Sequence, residues 1–558
     1  MHHPGATRPT PPVPTSADRG TGAGQADLVI RNAAPAIGGP AALAVRAGRI
    51  VGATADPRGS ADWTGPSTEV VDAGGGTLLP GFVDAHVHPV TAGRNMLTVD
   101  LAGAPDADAY LSRIAAWVQA HPGDGWVTGG GWSMEHFPGG LPRREVLDAV
   151  TGGRPAFLYN RDVHGAWSNT EALRRGGIDH TTPDPADGRI ERDPDGRPAG
   201  MLHEGAAYAF ETDVLPAPGV DDLAAAILAA QTRLHAWGVT SWQDAWVTPD
   251  SARAYHSLAV DGRLRSRTVG ALWWDRHRGL EQLDELADRR DALRHSTFAP
   301  TTVKIMVDGV LENSTGALLE PYCRCDGMPG ADRGLVYVDP EILSPAVDLL
   351  EQHGFQVHLH AIGDRAVRMS LDAVQHARTR RPDPGLRHHI AHVQVIDPAD
   401  LPRFAALGVT ANLQTYWAQH EPQMDELTAP FLGERRTALQ YPFRTLADSG
   451  AGLAMGSDWP VTTADPLRQL EVAVRRRDPD DRDSPVFLAG EELSLDTALR
   501  AFTAGSAAVN HDPDAEDLSV GSRADIVLTD VDLAALEGRI ADARVVLTVV
   551  DGEIVHQA

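Results

Sequence analysis

The sequence predicts an α/β protein built on a distorted (β/α)8 barrel of the TIM type, joined by a composite β-sandwich from both termini and an inserted cap subdomain. Through the middle of the chain, short apolar runs rich in β-branched residues alternate with Ala/Leu/Arg-rich helical patterns, as in a parallel sheet covered by helices. β-rich stretches sit at the two ends. A long interruption separates the first apolar run from the second.

Residues 1–25 are rich in Pro, Gly, Ser and Thr and lack the apolar core of a signal peptide, so they read as a disordered tail. The segments ADLVIRNA, ALAVRAGRIVGAT and STEVVDAGGGTLLPG alternate apolar with polar residues and break at Gly. GSRADIVLTD and ARVVLTVVDGEIV do the same near the end. Each half is too small to bury a core alone, so the two are expected to pair into one sandwich, residues 26–80 plus 519–558. Two unrelated edge hairpins are the competing arrangement.

The barrel is expected to occupy residues 81–518. Its predicted strands are Leu78–Val83, Val239–Asp244, Arg265–Leu272, Thr302–Val307, Gln356–His360, His389–Val393, Val409–Leu413 and Leu453–Ser457. The stretch between the first two far exceeds a βα connection of about 2–6 residues. It holds Gly clusters and aromatics (GWVTGGGWSMEHFPGG, PAFLYNRDVHGAWSN), which predicts a cap at about 96–219 over the barrel mouth.

Composition bounds the function. A chain of 558 residues with 42% hydrophobic and 22% charged residues is an ordinary soluble composition, enough for roughly two to four structural units. The net charge of −27 argues against nucleic acid and anionic membrane as partners. No run approaches the ~18 apolar residues of a membrane span. Cys323 and Cys325 stand one residue apart, too close for a usual structural disulfide and too few for a zinc site, and read as reduced thiols of a cytoplasmic protein. Of the 49 basic residues, 48 are Arg and one, Lys304, is Lys. A lone amine in a chain that elsewhere uses guanidinium marks a position where Arg cannot serve.

The chemistry concentrates at strand ends. His86 and His88, in PGFVDAHVHP, are two apart at the end of an apolar run, so period-two geometry turns both rings to one face. GFQVHLHAIGDRA carries His360, RHHIAHVQ carries His392, GLAMGSDWP carries Asp458 and TTVKIMVDG carries Lys304. All six fall at or near the strand C-termini, where barrels build active sites, and neutral imidazole is the usual ligand of zinc and its neighbours. His358 shares the parity of His360 but lies deeper and suits packing or support, while His388 and His389 carry no functional signal. Asp308 and Asp364 suit ligand orientation.

Together, these motifs resemble the amidohydrolase superfamily, specifically its branch containing N-substituted formamide deformylase. The resemblance spans nearly the whole chain and includes VKIMVDGVLENSTGAL, NRDVHGAWSN and AGMLHEGA. It implies a metal centre of one or two divalent ions, zinc by default, held by His86, His88, His360, His392 and Asp458. It also implies that Lys304 takes up carbon dioxide as a carbamate bridging two metals. A plain buried lysine paired with Asp308 or Asp458 is the alternative. His164, beside Arg161 and Asp162, resembles a segment that reaches the substrate, though a surface ion pair is equally consistent. Trp132, Tyr416 and Trp417 fall on predicted mouth loops, as pocket walls or as ordinary packing.

The expected function is hydrolysis of a carbon–nitrogen bond in a small amide-like substrate, an N-substituted formamide or N-acyl compound. In such a site, divalent metal activates water and polarises the carbonyl, and Asp458 passes a proton from that water to the departing nitrogen. The same ligands could serve a dipeptide, carbamate or lactone, and a non-catalytic scaffold is the rival from another class. A homodimer is the generic expectation for assembly.

Overall fold

The computed structural model describes residues 25–34, 39–56, 61–324, 328, 330–382 and 384–558; Cys325 and all but the last residue of the expected tail at 1–25 lie outside them. Strands β1 (Leu28–Arg31), β2 (Ala42–Arg46), β3 (Arg49–Thr54) and β4 (Glu69–Asp72) form a sheet in the order β3-β2-β1-β4. Next come two strands where one was expected. β5 (Leu78–Pro80) and β6 (Phe82–Val87) belong to different sheets, so the predicted strand Leu78–Val83 is corrected. The break lies at Pro80–Gly81. The Gly81 amide donates to Asp525 O (2.9 Å), and a Cβ there would lie 2.1 Å from the Thr240 hydroxyl. Only glycine fits where the chain crosses from sandwich to barrel.

The inserted segment forms its own six-stranded sheet from β7 (Val99–Asp100), β8 (Val127–Trp132), β9 (Ala156–Asn160), β10 (Gly165–Ser168), β11 (Gly188–Arg192) and β12 (Pro198–Glu204). Trp132 is fully buried in the core of this unit with Tyr110, Ile114, Leu158, Trp167 and Met201. Its indole N–H donates to Leu158 O at 2.8 Å. The expectation that Trp132 walls the substrate pocket is therefore corrected: it is a packing residue at a strand end. Trp132→Ala is expected to cost about 3–5 kcal/mol, as large-to-small changes in cores do, read as a lowered unfolding midpoint.

β13 (Val239–Val247), β14 (Arg267–Trp273), β15 (Phe298–Met306), β16 (Gln356–Ala361), β17 (His389–His392), β18 (Thr410–Leu413) and β19 (Gly452–Met455) complete an eight-stranded parallel barrel with β6. Their near-continuous burial is that of strands covered on both faces. β19 stops earlier than the expected Leu453–Ser457, which leaves Asp458 on the turn beyond it. The seam between β19 and β6 is closed by the Asp458 amide donating to His86 O (2.8 Å). A Cβ on Gly456 would lie 2.4 Å from that of His86, so the close approach requires glycine.

β20 (Ile526–Thr529), β21 (Val545–Val550) and β22 (Glu553–Gln557) pair with β5 in the order β22-β21-β20-β5. Leu28, Ile30, Leu43 and Val45 of the first sheet share one buried cluster with Ile526, Leu528, Leu547 and Val549 of this one. Cys323 is a free thiol. No helix among the described residues is long and apolar enough to cross a membrane.

Candidate metal centre

The C-terminal ends of the barrel strands gather the titratable groups. His86, His88, Lys304, His360, His392 and Asp458 line one small pocket with Asp162, Val163 and His164 of the inserted unit. Asp458 is the hub. Its Oδ1 lies 3.1 Å from His86 Nε2 and 2.9 Å from His88 Nε2, and its Oδ2 lies 4.0 Å from His392 Nδ1. Ligand atoms of His86, His392 and Asp458 all fall within 4.8 Å of one another. The His360 ring is 4.3 Å from that of His392. Its Nε2 faces Gly309 O at 3.3 Å, which commits that nitrogen as donor and leaves Nδ1 as the lone pair of a neutral ring.

These residues fit a divalent cation. Burial holds His86, His360 and His392 well below the usual imidazole range, so all three stay neutral. Burial opposes a charge on Asp458, but the His88 hydrogen bond keeps its carboxyl below the usual range. His88 Nδ1 and His392 Nδ1 are buried with no hydrogen-bond partner among the described residues, and Asp458 Oδ1 faces only the imidazole nitrogens of His86 and His88. Lone pairs and one carboxylate converging on one point leave a place for a positive ion.

Lys304 pairs in register with His358, one layer below the Met306–His360 pair, so its stem rises from the barrel interior to the pocket. Burial pushes its amine down to about 7, against the pull of Asp458. The alternative partner, Asp308, is taken up elsewhere. It accepts backbone amides from Ala317 (2.8 Å), Ile362 (3.0 Å) and Gly363 (2.9 Å), and so ties the loop after β15 to the loop after β16. Asp364 likewise accepts the Leu319 amide at 2.8 Å.

His164 is buried against Glu204, with Nδ1 2.9 Å from Oε2. Burial disfavours its charge, but Glu204 outweighs burial and lifts the imidazole to about 9. An imidazolium donor thus faces the pocket at neutral pH, 5.6 Å between ring centres from His360. Arg161 points away, to Gln423 (2.7 Å) and Glu421 (3.3 Å). Trp417 stacks on His392 with ring centres 5.2 Å apart. Tyr416 instead accepts a hydrogen bond from Arg468 (3.1 Å) and does not line the pocket.

Sequence reasoning passed over several members of this site. Glu204 sits inside the AGMLHEGA motif, but its pairing with His164 depends on the inserted sheet. Asp84 accepts the amides of His86 (3.2 Å) and Ser457 (3.0 Å), which braces the seam. Tyr208, Trp246 and Trp273 wall the pocket, the last two near the ends of β13 and β14, where the strand-end argument applied to histidines would have found them. Four non-glycine residues at the site have left-handed backbone: Val163 (φ 57°), Glu204 (50°), His392 (77°) and Asp458 (56°). Such conformations cost about 1–3 kcal/mol each and cluster where geometry serves function.

Fold and site together define a metal-dependent hydrolase. The chain belongs to the amidohydrolase family, whose model matches residues 69–556. It is 28% identical over 528 residues to the putative amidohydrolase YtcJ of Bacillus subtilis, covering 92% of this chain and 96% of that one. It is 28% identical over 534 residues to N-substituted formamide deformylase of Arthrobacter pascens, covering 92% and 95%. Protein LONG AFTER FAR-RED 3 of Arabidopsis thaliana is 29% identical over 537 residues, covering 92% and 87%. Among solved structures, an uncharacterized metal-dependent hydrolase from Pyrococcus furiosus aligns with a TM-score of 0.67 at 25% identity, over 90% of this chain and 98% of that one.

Proposed function

We propose that this enzyme is a cytoplasmic hydrolase that cleaves a carbon–nitrogen bond of a small amide-like molecule, with its divalent metal, zinc by default, held by His86, His88, His360, His392 and Asp458. The observation that carries the reading is Asp458: a buried carboxylate at the meeting point of the His86, His88 and His392 rings, its ligand atoms within 4.8 Å of those of His86 and His392. When bound, a divalent ion at this position supplies Lewis acidity toward a carbonyl oxygen and lowers the pKa of water. Asp458 takes the proton of the attacking water and returns it to the departing nitrogen, which needs one to leave as an amine. His164, held protonated by Glu204, donates a hydrogen bond to the carbonyl oxygen as negative charge grows on it.

The substrate's outer part is read from the next compartment. The inner pocket shares Val163, Tyr208, Trp246 and Trp273 with a cleft of about 760 Å³, the size range of small-molecule sites. Trp246 and Trp273 stack with ring centres 5.0 Å apart, and Tyr208 meets Trp246 edge-on at 5.7 Å. A wall of three aromatics favours a planar, apolar substituent on the amide.

A panel of N-formyl and N-acyl amides bearing benzyl or short alkyl groups, assayed with zinc- and manganese-loaded protein, tests both statements. Benzyl amides are expected to turn over with the higher kcat/KM. Turnover of lactones or dipeptides but of no amide would reassign the bond. A protein that binds no metal under any condition would be the scaffold instead.

A further inference from the structure

We propose that Gln243, a residue touching neither substrate nor ligand position, sets the tautomer of His86 and thereby aims the Nε2 lone pair of that ring at the metal position. The inference rests on the metal reading only in its last link. The rest follows from which atoms can donate and which can only accept.

The first anchor is Gln356. Its Nε2 lies 2.9 Å from Arg387 O and 2.7 Å from Val509 O. Backbone carbonyls only accept, so the amide NH2 must sit there and Oε1 must face inward. That oxygen accepts from the Thr302 hydroxyl (2.7 Å) and from Gln243 Nε2 (3.2 Å). With its NH2 turned to Gln356 and to Asn510 Oδ1 (3.2 Å), Gln243 presents Oε1 to His358 Nδ1 (2.7 Å) and His389 Nε2 (3.0 Å).

The second anchor reaches the same oxygen from the other side. Asn412 Nδ2 donates to Ala85 O at 2.9 Å, so the same NH2 donates to His389 Nδ1 at 3.2 Å. A neutral His389 then carries its proton on Nε2, pointing at Gln243. Both chains assign Gln243 Oε1 as acceptor, and a carbonyl oxygen has two lone pairs for two N–H donors. A neutral imidazole ring has one donor and one acceptor.

The rest is forced. His358 donates from Nδ1 to Gln243, so its Nε2 accepts. His86 Nδ1, 2.8 Å away, must donate to it. His86 Nε2 is left as the lone pair, 3.1 Å from Asp458 Oδ1. A flipped Gln243 would set its oxygen against Gln356 Oε1 and its NH2 against the His389 N–H. The polar layer inside the barrel is thus a one-way chain from backbone carbonyls to a ligand atom.

Neutron diffraction from deuterium-exchanged crystals reads the chain directly, with deuterium expected on Nδ1 of His86 and His358 and on Nε2 of His389. Deuterium on Nε2 of His86 or His358 would overturn the proposal. Zinc affinity by chelator competition, measured well below the unfolding temperature, gives a second reading. Gln243→Met, close in size and without polarity, is expected to weaken zinc about 10–100-fold, the usual effect of losing a ligand's supporting partner. A packing role alone would lower the melting temperature and leave zinc affinity unchanged, which would also overturn it. If Gln243→Met fails to fold, the proton positions in the parent protein still decide. If the parent binds no zinc, the metal reading falls while the proton map judges the chain separately.

Discussion

Lys304→Ala is expected to remove the protein's only side-chain carbamate signal, reduce its bound metal and lower turnover about 10³-fold or more, since the charge stabilisation a metal supplies is worth several kcal/mol and each 1.36 kcal/mol is tenfold. To form the carbamate, the neutral amine nitrogen would bond to the carbon of carbon dioxide and release one proton, which would turn an uncharged amine into an anionic oxygen donor. Only the unprotonated amine reacts. Burial has pushed its pKa to about 7, so the reactive form dominates above that pH and gives way to ammonium below it. Uptake of labelled bicarbonate, followed by carbon NMR, should therefore fall as pH drops through about 7. Because Lys304 is the sole lysine, one side-chain signal is expected and none in the variant. Full metal content and turnover in Lys304→Ala would leave the residue as a buried amine beside Asp458 and nothing more.

Asp458→Asn should keep the fold and lower kcat about 10²–10⁴-fold, the range for a lost general acid–base group. The seam contact survives, because it runs from the backbone amide of residue 458 to His86 O. What disappears is a proton acceptor and the carboxylate charge among the ligands. The check is kcat and bound metal measured together. A variant with metal retained and kcat within tenfold of the parent would move the proton-transfer role to another residue.

The strand-end histidines were legible because two regularities coincide in sequence: period-two alternation, and the placement of barrel sites at strand C-termini. That coincidence picks out His86, His360 and His392 without any contact information. Trp132 was not legible, because GGGW reads locally as a loop. In the structure those glycines pack the strand between neighbours. A Cβ on Gly129 would lie 2.1 Å from Val99 O, and one on Gly130 would lie 2.9 Å from Tyr159 O. Close approach and a turn demand the same residue, and only the partner strands tell them apart.

Gln243 marks the other limit. Nothing in TSWQDAW distinguishes it from any polar residue on a strand, since its role depends on Gln356, His358 and His389 arriving from across the barrel. Likewise, LPGFV reads as one apolar run until Asp525 and Thr240 show that Gly81 is a crossing point.

The composite sandwich sets a timetable for folding. Thr77, just before β5, hydrogen-bonds to Thr529 at 3.1 Å across 452 residues of chain. At about 5–20 residues per second of synthesis, β5 waits roughly 20–90 s on the ribosome before β20 exists. Throughout that interval Leu28, Ile30, Leu43 and Val45 lack the facing sheet that will bury them. The barrel can assemble in order as it emerges, but the sandwich closes only when the last strands arrive. A nascent chain stalled short of β20 therefore leaves an apolar sheet face uncovered, and the clasp cannot close until β20 has emerged.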